Sequence, residues 1–122
     1  MTYSERKEHN KRIAETFRSS IAENDRATLI KMFRDSLKKY YRATEKASRL
    51  HEVYVNNKNT QGTWTNFCKA NNSAEEIYVQ LWELALAITH GTIERGCFNF
   101  YIQTNIEKLF TIYFYEDYNE NS

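Results

Sequence analysis

From Phe33 to Tyr54 the chain places Phe33, Leu37, Tyr40, Ala43, Ala47, Leu50 and Tyr54 at steps of three and four, with no proline to interrupt them. Residues so spaced fall on one side of an α-helix, because each residue advances the helix by about 100°. Leu29 and Ile30 thicken the stripe at its start, and Asn24 and Asp25 supply short polar side chains able to cap free backbone amides. The spacing predicts one helix from there to about Val55. At 1.5 Å per residue such a rod is about 45 Å long, more than the roughly 30 Å breadth of a small domain. It must bend, break or protrude. Ala43 and Ala47 would let another backbone approach closely, either within the chain or across a pair of chains. The surplus stripe predicts self-association as a homodimer, and a strict monomer would require a break near Ala43 to Ala47.

The remainder reads the same way. Proline is absent and only Gly62, Gly91 and Gly96 could force turns, which suits helices and disfavours a sandwich or barrel. Ile13, Phe17 and Ile21 form a narrow stripe in a first helix over about Ser4 to Glu23, although residues 1–10 carry little to bury and are expected to fray. Asn56 to Thr63 is polar and reads as a loop, followed by a short helix over Trp64 to Ala70. Ser73 with Glu76 has the spacing of a capping box, which predicts a new helix start; Ile77, Leu81, Leu84 and Ile88 give that helix its face, with Tyr78 and Trp82 flanking it, and it should end near Gly91. Residues 97–103 could alternate as a strand through Phe98, Phe100 and Ile102. Ile93, Cys97, Phe100, Tyr101, Ile106, Leu109, Phe110 and Tyr113 fit helical spacing better, with Thr104 and Glu107 as another capping box. The tail, Glu116 to Ser122, is acidic and expected to be loose. The expected fold is all-α: a compact bundle of about five helices around one long central helix, forming a single domain over residues 1–122.

At 122 residues one core is all the chain can bury. The two cysteines, Cys68 and Cys97, show no CxxC spacing and read as free thiols in a reducing compartment. The opening residues are charged where an export signal is apolar, and no run of about 18 apolar residues could cross a bilayer. Cytoplasmic location without membrane association is the expectation, in a host cytoplasm if the source is a phage or virus. The richness in Asn, Lys, Tyr, Phe and Ile matches an AT-rich coding sequence and points toward a phage, virus or mobile element.

A search for chemistry returns little. His9, His51 and His90 are far apart and form no HxxxH or HExxH pair, so no metal or cofactor is expected. There is no phosphate-binding glycine loop and no GxSxG. Cysteine nucleophiles stay open on spacing alone, yet Cys68 beside Phe67 and Cys97 beside Phe98 read as packed thiols. Glu75 and Glu76 are explained by a helix N-terminus. A ribonuclease pair of the RxxxxH type fails, because Arg49 is too close to His51 and Arg42 too distant. None of these patterns carries the residues of a known family.

Two surfaces remain. Residues 1–60 hold 14 Lys and Arg against 8 Asp and Glu, whereas residues 61–122 hold 3 against 8. On the long helix Lys31, Arg34, Lys38, Arg42, Lys46 and Arg49 share the face opposite the stripe, with Tyr41 beside them and Asp35 and Glu45 in partial relief. Like charges four residues apart each cost an isolated helix about 0.2–0.5 kcal/mol. The face is either simply solvated or meets phosphates or an acidic protein, including the acidic half of another copy. The second surface is the C-terminal aromatic cluster. Eight of the chain's 18 aromatic residues lie between 98 and 118, and Tyr113, Phe114 and Tyr115 cannot all face one way. Tyr113, Tyr115 and Tyr118, with Glu116 and Asp117, are therefore the candidate protein-binding residues, the competing reading being a last helix buried all round. The sequence thus points to a non-enzymatic interaction protein that binds, and inhibits or regulates, a larger macromolecular partner. The alternative is a nucleic-acid-binding accessory protein using the basic face, with an enzyme assembled by tertiary convergence a distant third.

Overall fold

A computed structural model describes residues 2–57 and 61–118. It is all helical, with no strand among the described residues: α1 is Tyr3–Ile21, α2 is Arg26–Asn56, α3 is Gln61–Thr89, α4 is Arg95–Thr104 and α5 is Ile106–Lys108, which runs on into a π-helical turn over Leu109–Tyr113. Residues 97–103 are therefore helix, and the strand alternative falls.

α2 begins where its cap was expected, Asp25 accepting a hydrogen bond from the Thr28 amide at 2.8 Å. It runs unbroken through Ala43 to Ala47, because α3 covers its stripe. Ring contacts fix the antiparallel register: Tyr40 meets Tyr78, His51 meets Phe67 and Tyr54 meets Trp64. Every step outward on α2 is matched by an equal step back on α3.

Two expectations about α3 are overturned. Asn56 and residues 61–63 of the expected loop are helical, and Trp64–Ala70 is not a separate short helix but part of α3, which runs from Gln61 to Thr89; residues 58–60 lie outside the described residues. Ser73 starts nothing. Its hydroxyl donates back to the Lys69 carbonyl at 3.1 Å, a bond a serine makes in mid-helix, and without proline or glycine the polar Asn71 to Ser73 stretch has nothing to break it. The Thr104 capping box fails similarly. Thr104 donates to the Phe100 carbonyl, while Asn105, at φ −160°, ends α4 and caps the next turn through the Lys108 amide.

The core occupies one half of the α2–α3 hairpin. Phe33 is fully buried at its centre, edge-on to Phe98, Phe110 and Phe114 at centroid distances of 6.2, 5.6 and 4.9 Å, with Leu37, Leu81 and Leu84 beside it. Beyond Leu37 and Leu81 the buried residues of the hairpin are Ala47, Ala70 and Ala74. The hairpin thus leaves the body as a two-helix arm, its seam closed by small side chains. α3 ends at two consecutive left-handed residues, His90 (φ 53°) and Gly91 (φ 76°), where the Gly91 amide closes on the Leu86 carbonyl at 2.8 Å. α1 lies along α3. Residues 3–10, expected to fray, are tied down by polar contacts instead of apolar ones: Arg6 to Glu75 and to the Asn72 carbonyl, His9 to Glu76 at 2.7 Å, and Asn10 to Glu75 at 2.6 Å.

Candidate interaction surfaces

The basic face of α2 is divided by what crosses it. Near the body, Arg34 lies over the Phe110 ring at 4.9 Å and donates to the Asp117 carbonyl at 2.7 Å; its Nε is buried without a hydrogen-bond partner. Lys38 is half-buried one turn further on. Tyr41 donates its hydroxyl to the Ile102 carbonyl at 2.8 Å, and burial pushes its pKa up to about 12. Arg34 and Tyr41 therefore tie the last thirty residues to α2 through Asp117 and Ile102, although the Tyr41 side chain stays 37% exposed. Lys31, Arg42, Lys46 and Arg49 are exposed and make no ion pair with a described residue.

The C-terminal aromatic cluster is largely internal. Phe98, Phe110 and Phe114 are fully buried, while Tyr113 and Tyr118 are half-buried, packed on Tyr101 and Phe110 respectively. Tyr113 also bonds to Cys97, which pushes its pKa up to about 12. The π turn makes this packing possible, since the Phe114 amide reaches back five residues to Leu109 and so brings Phe114 onto the same side as Leu109 and Phe110. Tyr115, at φ 55°, turns outward and is 82% exposed. Glu116 sits near Arg26, which also donates to the Phe114 carbonyl, and Asp117 is exposed. Of the five residues singled out at this end, Tyr115 and Asp117 offer open side chains, and residues 119–122 of the expected loose tail lie outside the described residues.

The outer end of the arm is a surface that sequence reasoning passed over. Tyr54, Trp64 and Phe67 stack in series at 5.0 and 5.5 Å, and His51 closes the row on Phe67 at 5.1 Å. These rings lie outside the core cluster, and beside them Trp64 and Val53 are each 42% exposed and Val55 is 55% exposed. The spacing of Tyr54 on α2 and of Trp64 with Phe67 on α3 was readable; their proximity depends on the register of a hairpin whose second helix looked broken.

Chemical groups stay dispersed. No cluster of three or more His, Cys, Asp or Glu side chains converges among the described residues, and both cysteines are free. His9, paired with Glu76 with both side chains 39% exposed, lines an open groove of about 780 Å³ along α1. None of the described helices is long and apolar enough to cross a membrane. Compared with known proteins, the chain matches no family model, no curated protein and no solved structure.

Proposed function

We propose that the chain is a non-enzymatic interaction module that grips a larger protein with the outer end of the α2–α3 arm and inhibits or regulates it by occupying it. One observation carries the reading: a row of three packed aromatic rings, Tyr54, Trp64 and Phe67, stands on a two-helix arm outside the core, with Trp64 partly open and Val53 and Val55 exposed beside it. Trp and Tyr anchors set in a rigid surface dominate protein interfaces, because they bury large area while losing little side-chain freedom. The free thiols suit a reducing cytoplasm, and the AT-rich composition suits a phage or mobile element acting on a host protein.

Photo-crosslinkers placed at Val55, Tyr115 and Lys31 test this in the producing cell. Capture of one protein from Val55, suppressed by Trp64→Ala, supports the arm; capture from Tyr115 alone returns the function to the C-terminal end.

A second reading has its own observation. Lys69 of α3 lines a shallow groove of about 350 Å³ together with Lys46 and Leu50 of α2, so both helices add cations to one side of the arm. Nucleic acid bound there would show a steep salt dependence, with the slope of log affinity against log salt falling by about 0.9 for each duplex phosphate contact removed.

A further inference from the structure

Away from the arm, a groove of about 480 Å³ runs between α1 and α3 and is closed at one end by the start of α4. Its floor is apolar, made of half-buried Ala14, Val79, Trp82 and Leu86. The two carboxylates that border it are already matched: Glu75 by Arg6 and Asn10, and Glu83, only 5% exposed, by Arg18 at 2.5 Å, an attachment that also holds the Arg18 guanidinium pKa above its usual value. Lys7, Lys11 and Arg95 remain, all exposed and none with a hydrogen bond or ion pair to a described residue.

Arg95 decides the kind of partner. Its guanidinium lies over the Trp82 ring at 4.9 Å, while Phe98 packs on the same indole at 5.1 Å. The indole is thus engaged by both neighbours and is a poor platform for stacking a base, whereas a guanidinium held over a ring keeps its donor edge for a carboxylate fork. α4 starts here with Glu94 as its N-cap residue, whose side chain makes no capping hydrogen bond.

We infer that this groove binds an acidic, leucine-bearing helical segment of a protein partner, its apolar face seated on Ala14, Val79 and Leu86 and its carboxylates meeting Lys7 and Lys11 on one rim and Arg95 on the other. Lys7 and Lys11 are one helical turn apart, which matches acids spaced four residues apart on a docked helix. The site is independent of the arm, and partners could engage both.

Fluorescence anisotropy with the intact chain tests it at low salt, using three labelled probes: an amphipathic peptide of repeating Glu-Glu-Leu-Leu, poly-glutamate of equal length, and oligo-dT. The amphipathic peptide should bind best. Its affinity should fall about tenfold in the K7E/K11E/R95E variant, because rim charges are each worth a modest amount, and should fall again in Val79→Ser. Trp64→Ala should leave it unchanged, which separates this site from the arm. K31E/R42E/K46E, with an equal change of charge elsewhere, should have much less effect. The inference is overturned if the amphipathic peptide does not bind, if both charge variants weaken it equally, if poly-glutamate binds as well, or if oligo-dT binds with the same dependence on Lys7, Lys11 and Arg95. Circular dichroism of each variant checks that the exposed charge changes and the half-buried Val79→Ser leave the fold intact.

Discussion

Truncating Phe33 should separate the core from the arm. Phe33→Ala removes a fully buried ring that meets Phe98, Phe110 and Phe114 edge-on. A buried Phe→Ala change costs about 3–5 kcal/mol, and aromatic pairs contribute about 0.5–1.5 kcal/mol each beyond area, so three such partners put this site near the upper end. A domain of this size is stable by about 5–15 kcal/mol, so the variant loses a large share of its stability. Phe33→Leu keeps most of the volume and should cost about half as much. Trp64→Ala, at a ring 42% exposed on the arm, should cost no more than about 1–2 kcal/mol. Urea unfolding followed by far-ultraviolet circular dichroism measures all three. A loss under about 1 kcal/mol for Phe33→Ala with unchanged m-value, or a Trp64→Ala loss equal to it, would refute the assignment of core and arm.

Three further outcomes are expected. The Tyr41 pKa is pushed up to about 12 by burial, from an ordinary value near 10. Its contribution is present in full below pH 10 and is lost as pH rises from about 10 to 12, so thermal midpoints should drop across that window, and less steeply in Tyr41→Phe. His90 holds a left-handed φ of 53° with its side chain exposed, and His90→Gly should raise stability by about 1 kcal/mol in thermal unfolding, the penalty a side chain carries there. In hydrogen exchange, amides of residues 43–56 and 64–71 should open at lower free energy than those around Phe33 and Leu84, because the buried residues of the arm are alanines. Equal protection throughout would mean that something covers the arm in solution, and a second copy is the first occupant to test.

The long helix was legible because its apolar spacing follows one period and nothing breaks it, and the helical character of residues 95–113 because helical spacing fits more of their apolar residues than strand alternation does. The continuity of α3 was also written in the sequence, as Phe67, Ala70, Ala74, Ile77, Leu81, Leu84 and Ile88. Small alanines in its first half and the Ser73–Glu76 pair masked it. What the pattern could not supply was the partner of α1. Pattern reading seeks apolar stripes, and α1 is attached over its first half by Arg6, His9 and Asn10 on Glu75 and Glu76, contacts between residues more than sixty positions apart. Nor does the spacing of Leu109 to Phe114 announce a π turn, and that turn is what sends Phe114 inward and leaves Tyr115 outside.

The unequal halves of the chain have a physical account in these contacts. Arg6–Glu75, His9–Glu76, Arg18–Glu83 and Arg26–Glu116, the ion pairs among the described residues, each join a base from the first half to an acid from the second. Four acids of the second half, Glu75, Glu76, Glu83 and Glu116, are thus met by bases of the same chain. Most of these pairs are partly exposed, so each adds little stability, but the three on α1, at Arg6, His9 and Arg18, together favour one face of α1 against α3. The bases left over are then no longer an even coating. Among them are Arg42, Lys46 and Arg49 along the arm and Lys7, Lys11 and Arg95 beside the α1–α3 groove, all exposed and none in an ion pair with a described residue. These two places also expose apolar surface, so each offers the combination of a hydrophobic seat and an unmatched charge from which a specific partner is recognised.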